Sequence, residues 1–505
     1  MAHLAVALLA LYVLHVLARR VLAWHRTRHK RRPPWATGAV PLLGHALAYK
    51  ADPADFLATQ CRSVGNIFRI NLAGKIMTVI GPDRAATKRV ASASESVLSA
   101  RQAVLAIGFE ETLGALNVLE GTDLHKRAIK ALDLEAEVPA LHAAAGRALA
   151  AEAERHGGRV PDLFALVRVV ALRISVERLI GPGVLRAAGD AFLDAFMAFQ
   201  DQLEDATAKA AVLPRWLARP LILRPVERLR RGVRERLAAA LDDAYASADD
   251  DTLGPWAVAL RSRSRDDAAE LCIGLLFAAA KNPAIAAAQA LVYALQAGGE
   301  TVERARADAA ALAASPTATT LGRCDGLRRI TLETLRVTAH AIGGVRTVLD
   351  PDGFDVGDGE GEAPLWAAPG ETIALAHIAA HRDDALWGDG PAIDGESFRP
   401  ERREWDRVDG DGGGLSGWLR RTPDDYTFTT FSQGLHRCPG ERTALVVVAC
   451  VLAHLLDGPF RTKLRPPVPA PSFERATLAQ RDGPVAAVMD SPGEFSADTN
   501  YTTGR

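Results

Sequence analysis

Residues Phe431–Leu456 read FSQGLHRCPGERTALVVVACVLAHLL, and the rest of the chain is understood outward from them. A single cysteine, Cys438, stands between a glycine-containing loop and an apolar run of helical period that stops at Asp457-Gly458-Pro459. Pro439 comes next, and proline suits the first position of a helix, where its missing N–H would go unused. This spacing predicts a helix that starts at Cys438. There the unpaired N–H groups and the macrodipole favour a thiolate over a thiol. A thiolate so placed ligates a metal or attacks an electrophile. A lone cysteine before an apolar helix is otherwise most often a buried, inert thiol, so its surroundings must decide.

The chain has 505 residues, 48% of them hydrophobic, and a formal net charge of −1. That composition excludes a disordered chain and argues against a nucleic-acid partner. The five cysteines are scattered, with no paired spacing, which fits a reducing compartment.

The pattern Phe431-x-x-Gly434-x-His436-x-Cys438-x-Gly440 resembles the haem-binding signature of the cytochrome P450 family at every fixed position. The resemblance implies a mainly α fold with a small β-sheet region, built as one large catalytic domain. It implies haem b (iron protoporphyrin IX) as cofactor, with the Cys438 thiolate as axial iron ligand. It also implies that Phe431 packs near the sulfur, that Gly434 and Gly440 let the backbone approach the haem, and that His436 reaches a propionate.

Two further motifs stand upstream in the expected order. Glu333-Thr334-Leu335-Arg336 places an acid and a base on one helical face, a spacing that alone is common and nearly neutral. Ser397-Phe398-Arg399-Pro400-Glu401-Arg402 resembles the family's Pro-Glu-Arg segment. Together they imply a buried Glu333–Arg336–Arg402 triad that locks the haem-side core. Arg346 sits where relatives place a propionate-binding arginine. His381–Phe398 resembles a further family run, with Asp384 in place of its usual proline. The Trp-x-x-x-Arg pair of many members is missing near His125. Lys126 and Lys130, on one helical face, are the candidates to replace it, and a solvated basic face accounts for them equally well.

Asp266–Gly298 has the length and apolar character of a long helix. The resemblance makes it the helix that crosses the haem, where monooxygenases usually carry an acid followed by threonine to relay protons. Alignment puts Lys281 at the acid and Asn282 at the threonine. Pro283 removes a helix hydrogen bond and is expected to open a kink there. Asparagine followed shortly by proline, with NIFRINLAGKIMTVIGPD at Asn66–Asp83, resembles the branch containing cholesterol 7α-hydroxylase and prostacyclin synthase. That branch holds both hydroxylases and peroxide isomerases. Two activities therefore stand open. One is a monooxygenase fed by an NADPH–cytochrome P450 reductase, acting on a sterol, terpenoid, fatty acid or polyketide. The other is a reductase-independent isomerase or dehydratase. A non-catalytic haem-binding protein is a third reading. Lys281 and Asn282 are the catalytic candidates, and Phe196, Phe199, Trp216 and Phe277 the candidate pocket linings.

Within residues 1–25, Leu4–Trp24 is apolar except for His15, Arg19 and Arg20, and it precedes a basic, proline-rich run at 26–45; a cleaved signal or a soluble amphipathic helix is the plain alternative to an anchor. Residues 1–25 read as a retained single-pass anchor, with the catalytic domain at 46–490 on the cytosolic face of the endoplasmic reticulum and a flexible tail at 491–505. Val212–Pro225, VLPRWLARPLILRP, is apolar and proline-broken; the resemblance places it against the bilayer, and a buried loop is the plain alternative. Arg420, Arg421, Arg437 and Arg442 are candidates for a basic face toward an acidic redox partner, and a solvated surface accounts for them equally well.

Overall fold

The computed structural model describes residues 28–210, 213, 215–247, 252–357, 363–388, 394–406, 414–420, 426–475 and 477–490. The expected anchor at 1–25 and the tail at 491–505 lie outside the described residues, as does much of the glycine-rich segment before Tyr426.

The helix Arg265–Ala297 is the axis of the structure. Its 33 residues span about 50 Å at the usual helical rise. Ser264 caps it, accepting a hydrogen bond from the Asp267 N–H at 3.1 Å, and Asp266 and Asp267 complement the dipole in the first turn. Alanine supplies much of its surface, so neighbouring helices approach closely. Leu271–Leu276 pack with the helices Pro182–Ala210 and Arg224–Ala246. Ala284–Ala294 pack in a second core with the helices Leu134–His156, Leu163–Ser175, Asp325–Val337 and Glu441–Asp457. Lys281-Asn282-Pro283 falls at the seam between the two cores. Among the described residues this is the one helix long and apolar enough to cross a membrane. Most of its apolar window, 78%, is buried inside the protein, as an interior helix that is hydrophobic all round should be. The helical assignment runs unbroken through Pro283.

Ile67–Leu72 and Lys75–Ile80 form the expected hairpin. Ala73 and Gly74 both take positive φ, 51° and 95°, as a tight two-residue hairpin turn requires. Lys75–Ile80 pairs in parallel with Thr372–Leu375, and Gly343–Val348 and Leu98–Ser99 complete a five-stranded sheet. Smaller sheets of two and three strands lie elsewhere, so the protein is mainly helical with a small β region.

The helix after the cysteine runs Glu441–Asp457 with Gly440 as its N-cap. Cys438 is thus not its first turn but lies in the loop before it, and Pro439 and Gly440 make a turn. The loop closes on itself instead: the Cys438 N–H donates to the Phe431 carbonyl at 2.8 Å. Cys438 therefore stands two residues before the N-cap, and its sulfur lies 4.0 Å from where a Cβ on Gly440 would be.

Candidate functional site

Gly434 needs its glycine for a reason the sequence did not show. Its φ is +62°, and a Cβ there would overlap the carbonyl oxygen of Ala91 and stand 2.8 Å from the carbonyl carbon. The loop is thus pressed onto the end of the helix Arg84–Ser92. Gly440 is less constrained: its φ is −87°, and a Cβ would meet only Ile129 Cδ1 at 3.7 Å and the Cys438 sulfur at 4.0 Å. Phe431 is half-buried against the main core, and the Cys438 side chain is exposed.

Three cationic or protonatable groups gather beside this loop. Arg346, in the strand Gly343–Val348, is only 7% exposed. One Nη donates to the Val345 carbonyl at 2.8 Å, while Nε is buried with no partner among the described residues. Burial pushes its pKa down, and Glu95 partly restores it. The His436 Nε2 stands 3.5 Å from a Glu95 carboxylate oxygen and has no hydrogen-bond partner among the described residues. Burial, then Arg346, then Lys126 hold His436 below its ordinary range against the pull of Glu95. Lys126 is half-buried on the helix Thr122–Lys130, whereas Lys130 is exposed at its end. A buried guanidinium without a counterion is costly. Two acidic groups placed here would satisfy Arg346, His436 and Lys126 together. The donor set, with an exposed thiol on the same loop, fits a haem held by its propionates and a cysteine.

The interior helix has an exposed turn of its own. Ala278 and Asn282, one turn apart, are exposed in the middle of a helix whose neighbouring turns, Leu271–Leu276 and Pro283–Val292, are buried. Pro283 has no N–H to offer the Ala279 carbonyl, which leaves a second polar atom beside Asn282. The helix Arg265–Ala297 packs on both Glu441–Asp457 and the π-helical turn Asn117–Gly121. That turn leads into Thr122–Lys130, whose Ile129 meets the cysteine loop. Ile342–Val345, just before Arg346, are also half-exposed.

Lys281 points elsewhere. It is 3% exposed, and its ammonium is engaged with Glu204 and, at 3.4 Å, with Asp201 on the helix Pro182–Ala210. Burial lowers its pKa, and Glu204 opposes that shift. Burial would raise Asp201, but Arg168, bound at 2.7 Å, then Lys281 and Arg475, hold it down. The ion pair separates Lys281 from the face on which Asn282 is exposed. Phe196 and Phe199 are fully buried with Phe192 in the core rather than lining a pocket. Phe277 is half-buried, edge-on to Phe109 at 6.0 Å, and Trp216 is 76% exposed.

Glu333, Arg336 and Arg402 form one buried cluster between the helix Asp325–Val337 and the segment Ser397–Trp405. Arg336 forks onto Glu333 with two bonds of 2.8 Å, and Arg402 Nε reaches the same carboxylate at 3.0 Å. The Arg399 N–H and the Trp405 indole N–H also donate to it, at 2.7 and 3.0 Å. Arg336 and Arg402 both reach the Ser397 carbonyl at 2.9 Å. Sequence reasoning missed Arg328, which is 2% exposed and donates to the carbonyls of Trp405, Trp418 and Arg420 at 2.6 to 3.0 Å. Its one signal was a charge beside the apolar positions Leu327 and Ile330.

No family model matches the chain. A 65-residue segment, 13% of the chain, is 40% identical to the mouse (Mus musculus) protein cytochrome P450 7B1, and it spans 13% of that protein's length. This partial likeness points to the cytochrome P450 superfamily without singling out a branch.

Proposed function

We propose that the protein is a membrane-anchored haem-thiolate monooxygenase that inserts oxygen from O₂ into a lipophilic substrate. The observation that carries this reading is the exposed Cys438 on a loop beside a buried arginine, Arg346, whose Nε has no acceptor among the described residues. A haem bound there would supply two-electron activation of O₂, with the thiolate feeding electron density to the iron. Cys438 is the sulfur ligand. Arg346, His436 and Lys126 neutralise the propionates, and the Glu333–Arg336–Arg402 cluster keeps the cysteine side rigid. Asn282 offers an amide donor and a carbonyl acceptor that orient water or a substrate oxygen, but no proton to release. Electrons come from an NADPH-dependent reductase docking near the exposed Arg437 and Arg442.

Membrane attachment draws on residues 1–25 and on exposed apolar side chains. Leu42 is 95% exposed, Leu47 59% and Ile76 41%, with Trp216 and Leu221 in the segment expected to meet lipid. The branch resemblance, the placement at the endoplasmic reticulum and the sterol, terpenoid, fatty-acid or polyketide substrate belong to this proposal. A second reading, a peroxide isomerase or dehydratase needing no reductase, is favoured by one observation: Lys281 stands where an acid is expected and is itself tied to Glu204 and Asp201, so it offers Asn282 no proton relay.

The experiment is turnover of purified protein on sterols, terpenoids and lipid hydroperoxides, with NADPH and reductase under labelled O₂, and again without them. Label in product only with NADPH supports the monooxygenase. Conversion of a hydroperoxide without NADPH or O₂ overturns it in favour of the isomerase.

A further inference from the structure

The segment that leads into the short strand Leu98–Ser99 touches the cysteine loop twice. Gly434 lies against the Ala91 carbonyl, and further along the same segment a Glu95 carboxylate oxygen stands 3.5 Å from the His436 imidazole. An acid in this place needs an explanation. Arg346, His436 and Lys126 gather where two negative propionates would be held, and Glu95 brings a third negative charge among them.

The Glu95 carboxylate is pinned from behind. One oxygen accepts from the Ser99 hydroxyl at 2.6 Å and from the Arg101 N–H at 2.9 Å, and the other accepts from the Ala100 N–H at 3.2 Å. Ser99 is buried, and its own oxygen accepts from the Gln102 N–H at 2.9 Å, capping the short helix Ala100–Ala106. Ser99 also pairs with Thr347, next to Arg346, so the sheet fixes the support of the acid beside the arginine. Burial would raise the Glu95 carboxyl, but Ser99, the Arg101 and Ala100 N–H groups and His436 hold it below its usual range. Among the described residues Glu95 makes no ion pair with Arg346, whose Nε stays without an acceptor. The acid is close enough to act on Arg346 through its charge, and is held too far back to bond it.

Charge then decides what the acid does. Arg346 and Lys126 balance two propionates, and Glu95 is one carboxylate more. A negative charge fixed beside a haem disfavours its reduction, which adds another negative charge, and it opposes retention of the propionates. The Glu95 side chain is 46% exposed, so water and salt screen it and the effect is moderate. We propose that Glu95 is the charge-setting residue of the haem site, a pinned carboxylate that makes the iron harder to reduce and the haem easier to release. This deepens the monooxygenase reading, and rests on it, by naming the group that restrains electron entry.

The test is a reductive titration of the haem-loaded full chain and, separately, the rate at which apomyoglobin strips its haem. Both are run on the parent, Glu95→Gln and Glu95→Asp. A glutamine oxygen can still accept from Ser99 and Arg101, so Glu95→Gln keeps the cap and removes one negative charge whatever His436 carries. It should favour reduction about threefold, which is about 28 mV at about 59 mV per tenfold change for one electron, and should slow haem loss about threefold. Glu95→Asp keeps the charge and should stay near the parent in both. A Glu95→Gln protein that matches the parent in both measurements overturns the inference. So does a Glu95→Asp protein that shifts as far as Glu95→Gln, which would make Glu95 a cap alone. Failure of the wider reading looks different. If the reduced carbon monoxide complex lacks a thiolate-type band while the Glu95→Gln shifts persist, the sulfur ligand falls and the Glu95 assignment stands. A parent that binds no haem overturns both.

Discussion

Glu333 has no exposed surface and accepts from two arginine side chains, one indole and one backbone amide. Its charge is therefore the counterion of two guanidinium groups that cannot reach water. Removing one partner of a buried pair typically costs about 3–5 kcal/mol. Glu333→Gln should lower stability on that scale and give protein with sharply reduced haem content, measured by denaturant titration and haem absorbance. A midpoint like that of the parent would contradict the account. The pairing partners were legible from motif order, because each motif recurs as a unit. Trp405 and Arg328 were not, because nothing local in sequence marks a side chain that closes a network from a distant loop. Asn282 was legible as a position but not as an exposed one. Lys281 was aligned with an acid, yet its partners, Glu204 and Asp201, come from another helix and could be assigned only by the fold.

At the scale of elements, the cysteine loop depends on its seating against Ala91. Gly434→Ala would put a Cβ at positive φ, at a cost of about 1–2 kcal/mol, and also against that carbonyl. Haem occupancy should fall severalfold while the far-ultraviolet circular dichroism stays helical; undiminished occupancy would show that the loop tolerates the shift. Lys281 binds the interior helix to Pro182–Ala210 in a similar way. Lys281→Met leaves Glu204 without its ammonium and should lower the thermal midpoint, yet leave a thiolate-type spectrum in place because Lys281 faces away from Asn282. Loss of that spectrum with stability unchanged would put Lys281 in the site after all. The long helix, the hairpin and the cysteine helix were readable from period and turn residues. The cysteine helix start was misplaced because proline at a first helical turn and proline in a preceding turn look alike in sequence.

For the whole molecule, two cores meet at the seam beside Asn282, and buried histidines couple the cysteine side to pH. Burial, then His340 and Arg346, push His377 down to about 3, and burial followed by His454 pushes His142 down to about 4. The His142 and His454 rings stand 4.2 Å apart between the helices Leu134–His156 and Glu441–Asp457. Both imidazoles are neutral when folded, while in the unfolded chain they take protons below about pH 6.5. Their contribution is therefore whole above pH 6.5 and is lost as pH falls from there toward 4 and 3. Denaturation midpoints should drop steadily from pH 7 to pH 4.5, and less steeply in His142→Phe; a midpoint that rises on acidification would refute this assignment. The mainly helical architecture was legible from composition and period. The seam was not, since it arises from which helices pack on each half of one apolar segment.

The central claim is that Cys438 is the thiolate ligand of a haem. Its most direct measurement is the absorption spectrum of the reduced carbon monoxide complex, taken on the parent protein and on Cys438→Ala. The account predicts a thiolate-type band in the parent that is absent from the variant. A parent without that band, or a variant that keeps it, would contradict the claim.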